Sequence, residues 1–239
     1  MSDAIPPSSA PPGPITSLDD PRVIQILSTE HWSLLSARSL AFNEAFTRGG
    51  MFLTFLSMSF VALALLAQGM SFGEQFLTIA AVVLAFDFVI GLTTYVRISG
   101  ANVDDLRAVH GMARIRHGYT QIAPIATPYF TTATHDDINS ILEIYGAGPQ
   151  TANPVATLLY GLTTSGGMIG LITAMVGGVL VAVVALMMGI SGGSAVWVGL
   201  IGSVVVFALI VLLTLGSVPR HQENLTVLFP KLDGQGPQE

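Results

Sequence analysis

Four apolar runs dominate this chain: Met51–Gln68, Gln75–Val96, Gly167–Ile190 and Ala195–Gly216. None contains Lys or Arg, and Asp87 is the only acid in any of them. A helix needs about 20 apolar residues to cross a bilayer, because each residue rises about 1.5 Å through a hydrocarbon core of about 30 Å. All four runs approach or exceed that length, and they are too uniformly apolar for core helices of a small soluble domain. Six residues, Gly69–Glu74, separate the first two runs, and Ser191–Ser194 separate the last two. The expected fold is all-α: a polytopic membrane protein with four transmembrane helices arranged as two tight hairpins.

Composition supports that class. The 239 residues are 51% hydrophobic and 10% charged, against about 25% charged for a soluble domain. The net charge of −6 argues against a polyanionic partner, so nucleic acid is not expected. The chain has no cysteine, which excludes disulfides, thiolate zinc sites, iron–sulfur clusters and cysteine nucleophiles.

The basic residues predict orientation. Arg22, Arg38 and Arg48 precede the first run, Arg97, Arg107, Arg114 and Arg116 follow the second, and Arg220 and Lys231 follow the fourth. The short connections carry none. By the positive-inside rule both termini and the middle segment face the cytoplasm, which excludes a receptor with a large external domain. Residues 1–18 read as a disordered Pro-rich tail without the charged and apolar regions of a secretory signal. Residues 217–239 read as a cytoplasmic tail, disordered from Asp233.

Two segments flank the runs. Asp19-Asp20-Pro21 is a helix start, and residues 19–50 are expected to form an amphipathic helix ending at a Gly49-Gly50 hinge before the hairpin of residues 51–96. Residues 97–165 form a helical insert ahead of the second hairpin, 166–216. Asn102 is expected to cap a helix from Val103 to about His117, and Thr134 with Asp137 to start a second helix running to about Tyr145. Pro124 and Pro128 break the chain between them, Gly146–Pro154 form another break, and a helix from Val155 feeds the third run.

Asp87 is the sharpest candidate for chemistry. A carboxylate near the bilayer centre is costly unless it meets protein, water or a proton. It reads either as a proton or cation site in a pore or carrier, or as a carboxyl hydrogen-bonded between helices to Thr54, Ser57 or Ser59. Arg107, His110, Arg114 and His117 share one helical face. That face could hold anionic lipid headgroups or a soluble anion, could sense pH, or could simply be a solvated basic side. Gly166, Gly170, Ala174, Gly178 and Ala182 recur every fourth residue, and Ala195, Gly199 and Ser203 repeat the pattern. Such stripes let helices approach closely, within one chain or between copies. His135-Asp136-Asp137 with Glu143 could be drawn as a metal site, but the spacing matches no strong pattern, and the two acids are at least as well explained as first-turn helix residues. No metal, cofactor or catalytic residue is assigned: there is no Walker loop, GxSxG, HExxH or Rossmann pattern, and no run contains a histidine for haem.

The segment Thr29-Glu30-His31-Trp32-Ser33-Leu34-Leu35, then Arg38-Ser39, and the segment Met112-Ala113-Arg114-Ile115-Arg116 with Tyr119 and Pro128-Tyr129-Phe130 together resemble small four-span integral membrane proteins of bacteria, notably actinobacteria. The resemblance covers about Val23 to Gly216. It implies a bacterial plasma membrane and no established activity. A more distant likeness, of layout alone, is to pore-forming two- and four-span effectors of bacterial conflict systems. The expected function is a structural or regulatory membrane subunit acting through its cytoplasmic face. The alternative is an oligomeric channel or proton-coupled carrier using Asp87. The expected partners are the bilayer and either a second copy or another membrane protein.

Overall fold

A computed structural model describes residues 15–70, 72–145, 161–222 and 226–231. The tails, the Gly146–Pro154 break and the start of the helix expected from Val155 fall wholly or mainly outside these residues. The described residues are helical, with no strand: α1 (Pro21–Met70), α2 (Glu74–Ile122), a 3-10 helix (Pro124–Tyr129), α3 (Ile138–Ile144), α4 (Ser165–Met187) and α5 (Gly192–Gln222). Four of these helices are long and apolar enough to cross a membrane.

The helix starts follow their capping chemistry. Asp20 accepts a hydrogen bond from the Arg22 amide at 2.9 Å, just where Pro21 opens α1. Asp137, not Thr134, caps α3 by accepting from the Ser140 amide at 3.0 Å. Thr164 caps α4 through the Gly167 amide.

The expected breaks after the amphipathic segment and ahead of Asn102 do not occur. α1 runs 50 residues without interruption and α2 runs 49, about 75 Å each at 1.5 Å per residue. Gly49-Gly50 is no hinge, and Asn102 lies inside α2 rather than capping a new helix. The reason is tertiary. Gly49 is buried in the core: a Cβ there would lie 3.8 Å from Ile169 and 3.9 Å from Ile98. Packing on both sides holds the helical conformation against the roughly 1 kcal/mol per residue that glycine costs in a helix interior.

α1 and α2 pack antiparallel in one register throughout. Leu27 meets Gly118, Leu34 meets Gly111 and Phe52 meets Gly91. Arg38 meets Asp105, Glu44 meets Arg97 and Ser59 meets Asp87. Buried positions on α1 step by three and four residues through Ala45, Gly49, Phe52, Leu56, Ser59 and Leu63, which is one helical face. The apolar parts of these helices therefore continue directly into a two-helix stalk at the arginine-bearing end.

α4 lies antiparallel to α2. Gly166 faces Ile98, Gly170 faces Tyr95, Thr173 faces Gly91 and Gly177 faces Phe88. The end of α1 and the start of α2 consequently lie at the same end of the bundle as the end of α4 and the start of α5. α5 packs on α4 and turns Val196, Trp197, Leu200, Ile201, Val204 and Val205 outward. Phe52, Leu56, Leu84, Ile98, Ile169 and Val176 form the common core.

Candidate functional site

The five small residues of the α4 stripe are placed against this chain's own helices. A Cβ on Gly166 would meet Asn102 and Ile98, and one on Gly170 would lie 3.0 Å from the Tyr95 ring, both on α2. Ala174 is buried. Gly178 and Ala182 meet α5, where a Cβ on Gly178 would lie 2.5 Å from the Gly199 carbonyl oxygen and one on Gly199 would lie 2.7 Å from Ala182. The absence of side chains here lets two backbones touch.

Asp87, on α2, faces Ser59 of α1 and is 0% exposed. The Ser59 hydroxyl donates to its Oδ1 at 3.0 Å, while Oδ2 is buried with no hydrogen-bond partner. Of the three candidate donors, only Ser59 is used. Thr54 and Ser57 instead donate to backbone carbonyls one turn back on α1. One turn along α2, Gly91 abuts the Thr173 hydroxyl and the Phe52 ring.

The basic face of α2 is divided. Arg107 points outward and pairs with Asp104 at 3.3 Å, both about half exposed. The other three residues face protein. Arg114 Nε donates to Asp136 Oδ2 at 2.8 Å, and its Nη2 donates to the Thr226 carbonyl. The His117 ring stacks on Phe229 with centroids 4.2 Å apart and planes 20° apart. His110 is 4% exposed, with Nε2 3.6 Å from Asp136 Oδ2. This face is therefore not one open anion cradle, because a segment of the same chain covers most of it.

That segment, Thr226–Lys231, follows α5 and lies as a strap across α2 and the start of α3. Asp136 is its anchor and is 0% exposed. Its carboxylate accepts from the Leu228 amide at 2.9 Å and the Phe229 amide at 2.7 Å, and its own amide donates to the Phe229 carbonyl at 3.2 Å. Asp137 Oδ1 accepts from the Lys231 amide at 3.1 Å while the same side chain caps α3. Burial pushes the Asp136 carboxyl up. The Leu228 amide, Arg114 and the Phe229 amide together outweigh it and hold the group below the ordinary carboxylate range. Burial depresses His110, and Arg114 depresses it further, with Asp136 and the Thr226 backbone only partly offsetting them. Asp136 and Asp137 are thus occupied by hydrogen bonds. Among the described residues no group of three or more His, Asp or Glu side chains is placed to hold a metal ion.

A second polar junction ties α1 to α2 and the end of α3. Asp105 is buried, bonds Arg38 through both oxygens, and accepts from the Tyr145 hydroxyl at 2.6 Å. Deeper along the stalk, His31 lies 6.3 Å from the Tyr119 ring. Burial depresses His31 and Arg116, and each is further depressed by a neighbouring arginine, Arg116 and Arg38 respectively.

Asp136, Asp105, Arg38 and Tyr145 are not legible as a site in the sequence. Arg114 and Asp136 are 22 positions apart, and Arg38 and Asp105 are 67 apart. The one local signal is Val227-Leu228-Phe229-Pro230, a run of four apolar residues in the tail. No family model matches the chain, and no curated protein or solved structure matches it.

Proposed function

We propose that this protein is a membrane-anchored structural or regulatory subunit that acts through a rigid cytoplasmic stalk. The observation that carries the reading is the unbroken register of α1 on α2. The segment from Pro21 to Arg48 projects about 40 Å at 1.5 Å per residue beyond the first apolar run, still paired with α2. Ion pairs brace it where it leaves the apolar region, with Glu44 bonding both Arg97 at 2.7 Å and Arg48 at 2.9 Å. α3 and the strap pack on α2 beside it. A stalk so stiff transmits position and orientation, which suits a scaffold or sensor more than an enzyme. The bilayer is one partner. A second copy or another membrane protein is the other, and it would meet the outward apolar side of α1 that carries Trp32, Phe42 and Phe46.

In this reading the four apolar helices form two transmembrane hairpins, with the connections at 71–73 and 188–191 outside and all the basic residues inside. The resemblance to four-span actinobacterial proteins supports a bacterial plasma membrane as its location. The chain has no native cysteine, so single-cysteine variants test the topology cleanly. Ser191→Cys is expected to react with an impermeant maleimide on intact cells, and Thr132→Cys only after permeabilisation. The reverse pattern overturns the orientation.

A channel or carrier reading rests on the buried, half-satisfied carboxyl of Asp87. Purified protein in liposomes separates the two readings by proton and monovalent-ion flux. The scaffold reading expects no flux above empty vesicles from wild type or Asp87→Asn. Flux in wild type that Asp87→Asn abolishes overturns it in favour of transport.

A further inference from the structure

The strap is fastened almost entirely by polar contacts. Val227 is 45% exposed and Leu228 56%, so only the Phe229 ring on His117 adds appreciable apolar contact. Two strap amides, those of Leu228 and Phe229, converge on the Asp136 carboxylate, while Asp137 holds the Lys231 amide and Arg114 the Thr226 carbonyl. Beneath the Asp136 carboxylate lies His110, 4% exposed, with neither ring nitrogen making a hydrogen bond. Burial takes an imidazole so placed out of bulk solvent and disfavours a second proton, and Asp136 and the Thr226 backbone offset this only in part. The oxygen nearest to it, Asp136 Oδ2, is already occupied by Arg114 and the Leu228 amide.

We propose that the Thr226–Lys231 strap is an acid-released clasp, with His110 as the group whose protonation opens it and bares Arg114 and His117. The inference does not rest on the scaffold reading; it needs only the strap and its seat. The groups facing His110 come from each element around it. Arg114 faces it from α2, Asp136 from the segment ahead of α3, and the Thr226 backbone from the strap. His135 lies beside His117, with rings 5.9 Å apart. Asp105, further back on α2, is held by Arg38 and Tyr145.

The sign follows from linkage. His110 is depressed while the strap is docked and regains water when the strap leaves, so the released form binds the proton more tightly. Docking is at full strength above the released-state value of about 6.5 and weakens as pH falls through it, down to the docked-state value. Each pH unit in that window shifts the docked-to-released ratio by up to about tenfold. Asp136 does not interfere, because its carboxyl is held below the ordinary range and titrates at lower pH.

The test is pulsed-EPR distance measurement on the full chain in nanodiscs, with spin labels at Val227→Cys and Glu143→Cys. A single short distance is expected at pH 8, with a longer population growing between pH 7 and 5. In His110→Gln, which cannot titrate, the short distance should persist to pH 5, whereas Asp136→Asn should populate the long distance at every pH. No change in wild type over this range overturns the proposal, and so does a transition that survives in His110→Gln. If His110→Gln fails to fold, NMR titration of His110 in wild type decides: a midpoint below 6.5 supports the clasp, and one at or above 6.5 overturns it.

Discussion

Replacing Gly178 with alanine probes the close crossing of α4 on α5. The new Cβ would lie 2.5 Å from the Gly199 carbonyl oxygen and against the Ser203 side chain. Ordinary contact needs about 3.5 Å, so α4 and α5 must separate by about 1 Å. A crossing of about 40 atom pairs at about 0.15 kcal/mol holds about 6 kcal/mol, and a gap of 0.5–1 Å forfeits roughly a quarter to a half of it. Alanine returns about 0.8–1 kcal/mol through its better helix propensity, leaving a net loss of about 1–2 kcal/mol. Gly50→Ala is the matched control. It is the same change inside a long helix, but its Cβ would meet nothing within 4 Å. It should therefore stabilise by up to about 1 kcal/mol. Unfolding by SDS titration in mixed micelles, followed by circular dichroism, measures both. Opposite signs are expected. If the two variants shift stability in the same direction and by the same amount, the close-crossing argument fails. A hinge at Gly50 would also fail this test in a distinct way, because stiffening it would change the stalk rather than simply stabilise it.

Other parts of the stalk give further tests. Asp105→Ala leaves Arg38 and the Tyr145 hydroxyl without their shared acceptor. Breaking a buried pair costs about 3–5 kcal/mol, and the 28% exposure of Arg38 discounts that to about 2–4 kcal/mol. Tyr145→Phe should cost about 1 kcal/mol by the same unfolding assay, and equal losses from the two variants would contradict the assigned geometry. Glu44 is held down to about 2, first by its hydrogen bond from Arg97 and then by that from Arg48. Its folded value lies below the ordinary one, so its bracing is complete above about pH 4.5 and is lost as pH falls toward 2. NMR of the labelled carboxyl should show that low midpoint, and Arg97→Gln should raise it. A midpoint near 4.5 in wild type would dissolve the proposed brace.

The sequence by itself determined the helical class, the four apolar runs long enough to cross a membrane, and the start of α1. It did so because hydrophobic run length and capping chemistry are local properties. It also marked the small-residue stripe of α4 as a contact surface, since spacing alone defines a helix face. It could not say that the Gly49-Gly50 pair would stay helical, because that depends on Ile98 and Ile169 arriving from other helices to pack against Gly49. Nor could it say that Asp87 would meet Ser59 rather than Thr54 or Ser57, a choice made by the register of α1 on α2. Only the tertiary structure turned the basic face of Arg114 and His117 inward, under a strap recruited from beyond the fourth span. The physical reason is that a buried carboxylate such as Asp136 must find its donors wherever the fold brings them, and these came from 22, 92 and 93 positions away.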